Sequence, residues 1–99
     1  MGEDPLKALE ALDPELVKMV RQTADAALGD GALPRKVKLL IAMALDAAHG
    51  ASGGVASLAR AAMQAGATRR EVAEALRVAY YISGAGSAYT AAHGLKDGL

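Results

Sequence analysis

The stretch from Leu33 to Gly86, LPRKVKLLIAMALDAAHGASGGVASLARAAMQAGATRREVAEALRVAYYISGAG, decides the fold. Its apolar residues recur at the three- and four-residue spacing of helices, and glycine-bearing joints divide it. Leu33–Pro34 opens the first piece, which reaches His49 and stops at Gly50. Val37, Leu39, Leu40, Ile41, Met43, Ala44, Leu45 and Ala48 leave that helix apolar almost all round. A helix of this kind is covered on several sides. We read it as the central helix, packed within its own domain and against a neighbouring subunit. After the joint Gly50–Ala51–Ser52–Gly53–Gly54, Ser52 reads as the N-cap of a helix running to Ala65, with Gly66 just past its end. Thr68–Arg69–Arg70–Glu71 then reads as a capping box. The helix it starts turns Val72, Ala75, Leu76, Ala79 and Ile82 inward, and Gly84–Ala85–Gly86 breaks it.

Outward from this stretch the signals are the same. Asp4–Pro5 and Asp13–Pro14 each place an acidic N-cap before proline at the first helical position, where a missing N–H costs nothing. They predict a short helix over Pro5–Leu12 and a longer one from Pro14 to about Leu28. The longer helix carries Leu16, Met19, Val20, Thr23 and Ala27 on one face, and Gly29–Asp30–Gly31 stops it. Beyond Gly86, Ser87 to about His93 forms a short last helix. No strand pattern, repeat or linker interrupts the series. The expected fold is all-α, a bundle of about five to six helices forming a single domain over residues 1–99.

Composition narrows the function. The 99 residues are 53% apolar, but 24 of them are alanine; there is no Phe or Trp, and the only aromatics are Tyr80, Tyr81 and Tyr89. Alanine permits close helix approach but buries little area, so an oligomer interface is the expected source of further burial. Eleven basic and eleven acidic residues cancel, leaving no field to attract a phosphate backbone or an anionic membrane. With no cysteine, disulfides and thiol catalysis are excluded. The first five residues lack the basic and apolar regions of a signal peptide. The longest apolar run, Leu39–Leu45, falls far short of the ~20 residues of a membrane span. A cytoplasmic protein is expected.

The segments LDPELV, DGALPRKVKLLIA, ARAAMQAGATRREVAEAL and SGAG follow, in order and spacing, the pattern of a known family. The chain resembles the alkyl hydroperoxidase D and carboxymuconolactone decarboxylase-like family. Redox-active members carry C-x-x-C-x-x-x-H at the central joint, with a glutamate twelve residues before the first cysteine. Those four positions fall here on Leu39, Ala51, Gly54 and Leu58. None of these side chains forms a thiolate or moves a proton, so the roles of nucleophile, resolving thiol and proton carrier are vacant. The resemblance therefore implies the fold without the thiol peroxidase activity. It also implies dimers, trimers or hexamers built on the central helices, in which this chain stands alone or beside an active paralogue. No cofactor is implied. The emptied motif positions would either line an apolar pocket for a small molecule or be packed shut.

Other readings compete. Decarboxylase-type members of the family need no cysteine pair, so a cofactor-independent decarboxylase or isomerase acting on a small carboxylated substrate is one alternative. It requires a general acid and cationic anchors, and the candidates are His49 with Asp46, then Arg35, Lys36, Lys38 and Arg60. Asp46 and His49, three residues apart, share a helix face. A histidine in the last turn of a helix is equally explained by the macrodipole, and His93 has the same explanation. Arg35, Lys36 and Lys38 stand at a helix start, where cations are disfavoured, and intersubunit ion pairs account for them as well. Tyr80, Tyr81 and Tyr89 either line a ligand pocket near the glycine break or fill a core or interface with their hydroxyls at a wet edge. Two histidines and an aspartate without close spacing do not suggest a metal site. The last alternative is a helix-turn-helix DNA reader, with Ala62, Gly66 and Val72 at the joint and Arg69 and Arg70 opening the recognition helix. Glu71 and Glu74 on that helix, with zero net charge, argue against nucleic acid.

Overall fold

Asp13 accepts a hydrogen bond from the amide of Leu16 at 3.1 Å and starts a fifteen-residue helix with Pro14 in its first position. This is the cap that the Asp-Pro pattern predicts. The computed structural model describes residues 5–99; the other predicted cap, Asp4, lies outside them. Six helices follow one another among these residues: α1 (Lys7–Leu12), α2 (Pro14–Leu28), α3 (Arg35–His49), α4 (Ser52–Gln64), α5 (Arg69–Ser83) and α6 (Ala85–Gly94). The capping box at α5 forms in full, with Thr68 Oγ1 accepting from Glu71 N at 3.0 Å and Glu71 Oε1 accepting from Thr68 N at 2.9 Å.

Helix α3 is central, packing on α4, α5, α6 and, more lightly, α2. Met43 and Ala47 of α3 meet Val55 and Ala59 of α4, Val72 and Ala79 of α5 and Ala91 of α6 in the main core. A second cluster joins Leu39 to Ala62 and Ala67. The large, fully buried side chains are Leu39, Met43, Val55 and Val72, each contributing roughly 1.5–3 kcal/mol. The rest of the interior is alanine, which lets helices approach closely. At Gly94 of α6 an added β-carbon would stand 3.2 Å from the Val55 β-carbon and 3.4 Å from the Ala56 amide, so α6 and α4 touch backbone to backbone.

Three local expectations need correction. Ser52 does not cap α4: Ala51 holds the N-cap position, no side chain closes that end, and Ser52 is already helical. The last helix begins at Ala85, because Gly84 alone makes the break, with φ 82° and ψ −171°. Ser87 instead sits buried inside its first turn, its hydroxyl donating to the Gly84 carbonyl at 2.8 Å. Ile82, predicted inward, is 75% exposed.

The amphipathic face of α2 shows the largest difference. The one buried residue of α2 is Val17, while Leu16, Met19 and Val20 face outward. Helix α1 buries none of its residues. The α1–α2 hairpin is thus held to the body by little more than its end, and the radius of gyration is 14.0 Å, against about 13 Å for a compact chain of this size.

Candidate functional site

The joint between α3 and α4 holds the residues on which a site would be built. Gly50 ends α3 in the left-handed conformation, φ 82°, which is open to glycine at no steric cost. The chain then reverses into α4, whose first-turn amides receive no side-chain cap. Asp46 reaches this end from α3. A β-carbon on residue 54 would stand 2.7 Å from its carboxyl carbon, so the Asp46 carboxylate occupies the space that a side chain at Gly54 would need. Negative charge at a helix N-terminus is favoured by about 0.3–1 kcal/mol, which accounts for this placement.

The four positions on which the resemblance places the motif lie in different environments. Leu39 is 1% exposed and packed against Ala62 and Ala67, with Leu28, Leu40 and Leu58 around the cluster. Ala51 is exposed at the joint, while Gly54 and Leu58 are half-buried. Leu58 also borders the main core. The leucines at 39 and 58 thus belong to one packed cluster, and Asp46 covers Gly54. His49 is exposed in the last turn of α3, one turn beyond half-buried Asp46.

Three of the cationic candidates, Arg35, Lys36 and Lys38, are engaged elsewhere. Arg35 donates through Nη1 to the Leu28 carbonyl at 3.3 Å, and Lys38 Nζ donates to the Gly29 carbonyl at 2.6 Å. Both therefore serve the C-terminus of α2, where the dipole favours positive charge. This resolves the paradox of cations at the start of α3: they answer the end of the preceding helix. Asp30 completes the turn by accepting from the Arg35 amide at 2.7 Å. Lys36 bridges α3 to α5 through Glu71 Oε2 at 3.2 Å. Glu71 is held below the usual carboxylate range by the Thr68 backbone amide and then by Lys36. Arg70 pairs with Glu74 at 3.0 Å, so the helix a DNA reader would use presents mixed charge. Arg60 is exposed on α4 beside Met63 and Gln64.

The tyrosines do not converge. Tyr80 borders a shallow groove with Leu76, Arg77 and Ala88, while Tyr81 and Tyr89 are 83% and 70% exposed. The surface feature that the sequence did not reveal is an apolar groove of about 260 Å³ between α3 and α5, walled by Ile41, Leu45, Val78 and Ile82 and floored by alanines. Among the described residues no helix is long and apolar enough to cross a membrane.

Comparison with known proteins agrees with this fold. The model of the carboxymuconolactone decarboxylase family matches residues 14–97. The crystal structure of the apo form of a carboxymuconolactone decarboxylase family protein from Legionella pneumophila superposes with a TM-score of 0.85 at 37% identity, covering 92% of this chain and 81% of that one. A comparison with curated protein sequences gives no match.

Proposed function

Because the chain belongs to the carboxymuconolactone decarboxylase family yet contains no cysteine, we propose that it is a redox-inactive member that acts as a homo-oligomeric scaffold. The observation that carries this reading is the apolar strip over α2, α3 and α5. Met19, Ile41, Leu45, Val78 and Ile82 are between 47% and 75% exposed. Contiguous apolar surface of this kind marks an interaction site. Of the two fates open to the emptied motif, the packing around Leu39 supports the closed one. Ile41 and Leu45, apolar α3 residues that their own chain leaves uncovered, support assembly through the central helix.

Native mass spectrometry on protein purified without added ligand tests this. A closed oligomer without adduct is the expected spectrum. An oligomer carrying a stoichiometric small molecule would replace the scaffold by a small-molecule binder, and a bare monomer would refute the assembly.

A second reading, a decarboxylase or isomerase on a small carboxylated substrate, draws on one specific observation: the Asp46 carboxylate lies at Gly54 in the first turn of α4, with exposed His49 one turn further along α3. In it, His49 would be the proton donor, and Asp46 would turn aside for the first-turn amides of α4 to hold a substrate carboxylate. The His49→Ala variant must then lose turnover of such a substrate while keeping its assembly. Loss of assembly with no activity to lose would return His49 to a structural role.

A further inference from the structure

A groove of about 320 Å³ runs between α5 and α6, and none of its lining residues belongs to α3, α4 or the joint between them. Helix α5 supplies Ala73, Leu76, Arg77 and Tyr80, whose three- and four-residue spacing puts them on one face. Helix α6 supplies Ala88 and Ala91. Ala91 is buried and Leu76 packs against the main core, so the floor of the groove is the apolar outer surface of that core. Alanines keep the floor low, while Arg77 and Tyr80 stand exposed along one wall. The volume falls at the lower end of the range of about 300–1,000 Å³ that small-molecule clefts span.

Arg77 gives this groove its chemistry. Among the described residues it makes neither a hydrogen bond nor an ion pair, whereas Arg35, Lys36, Lys38 and Arg70 are all engaged. Glu74, the acidic residue one turn before it, is held by Arg70 at 3.0 Å, and α6 contains no acidic residue. One uncompensated positive charge therefore stands beside apolar surface. The other grooves lack this pairing of features. No ionisable side chain lines the α3–α5 groove, and in the α2–α3 groove Lys38 has its ammonium bonded to the Gly29 carbonyl.

We infer that the α5–α6 groove binds a small aromatic monocarboxylate. A guanidinium is planar and donates two parallel hydrogen bonds to a carboxylate, so Arg77 fixes that end of the ligand. A single cation balances a single negative charge, which favours a monoanion over a phosphate ester or a dicarboxylate. The ring of the ligand covers Leu76 and the alanines, and Tyr80 offers it an aromatic face or edge. A flat, rigid body also surrenders little conformational freedom on an open floor. The site lies within one protomer and does not depend on the assembly proposed above.

The test is a titration of the full chain with 2-naphthoate, followed through the backbone amides by NMR, with 2-naphthamide as the uncharged match. Saturable shifts centred on Ala73, Arg77, Tyr80 and Ala88 are expected with the acid, and much weaker ones with the amide. Arg77 is exposed, so Arg77→Gln keeps the fold, which circular dichroism verifies, and should weaken naphthoate binding by about tenfold or more. Tyr80→Ala should weaken both ligands in proportion, since it removes a wall and leaves the charge. Equal binding of acid and amide, unchanged affinity in Arg77→Gln, or shifts centred on other cations such as Arg60 would each overturn the proposal. So would the absence of saturable binding.

Discussion

At Gly54 the absence of a side chain is matched by the presence of one at Asp46, and the pair explains why the joint accepts neither a cysteine nor an alanine without rearrangement. Because the obstacle is the end of the flexible Asp46 side chain, which can turn aside, Gly54→Ala should shift stability by less than about 1 kcal/mol, the helix-propensity gain being offset by moving that carboxylate. In an Asp46→Ala background the same change should become stabilising; urea melts of the four-member cycle measure the coupling. Gly53, with nothing near its missing β-carbon, supplies the control, and Gly53→Ala should stabilise by up to ~1 kcal/mol. Gly94→Ala should lose about 1–3 kcal/mol, because the obstacle there includes α4 backbone, which cannot swing aside. Glu71 adds a pH signature. Its carboxyl is held below its ordinary value of 4.5 by the Thr68 amide and by Lys36, so its contribution is complete above that value and fades as pH falls through the lowered one. Glu71→Gln should therefore melt below the unaltered protein at pH 7, with the gap closing on acidification below 4.5.

Helix by helix, the sequence was most legible where one residue speaks to its neighbours. The Asp13 cap, the Thr68–Glu71 box and the glycine after His49 all act within a few residues, and each appears as predicted. The central role of α3 was legible from its nearly unbroken apolar surface, and Met43 and Ala47 confirm it by their burial. The limits are equally physical. Periodicity shows that Leu16, Met19 and Val20 form a face that avoids water, but not which chain covers it. The purpose of Arg35 and Lys38 was hidden because it depends on the return of the chain at Gly29–Asp30–Gly31, a tertiary fact. At the candidate site, sequence located the joint and its missing chemistry, while the Asp46–Gly54 contact and the α3–α5 groove needed coordinates. Since α2 owes its order to its ends more than to its packing, Lys38→Met should raise amide exchange in its last turn several-fold. Rates in α4 should stay the same.

For the whole molecule, the proportions tell one story. Among the described residues four large side chains are fully buried, while a strip of aliphatic residues stays exposed. Small domains with slim cores gain stability by association, so unfolding here should depend on protein concentration. The family fold is present, and where the resemblance puts its two thiols stand alanine and glycine, with leucine at its glutamate and histidine positions. Sedimentation equilibrium on the unaltered protein and on Leu45→Glu tests the proposed assembly most directly. The unaltered protein should sediment at two or more times 10.0 kDa, and Leu45→Glu as a folded 10.0 kDa species. A 10.0 kDa mass for the unaltered protein at micromolar concentration would contradict it.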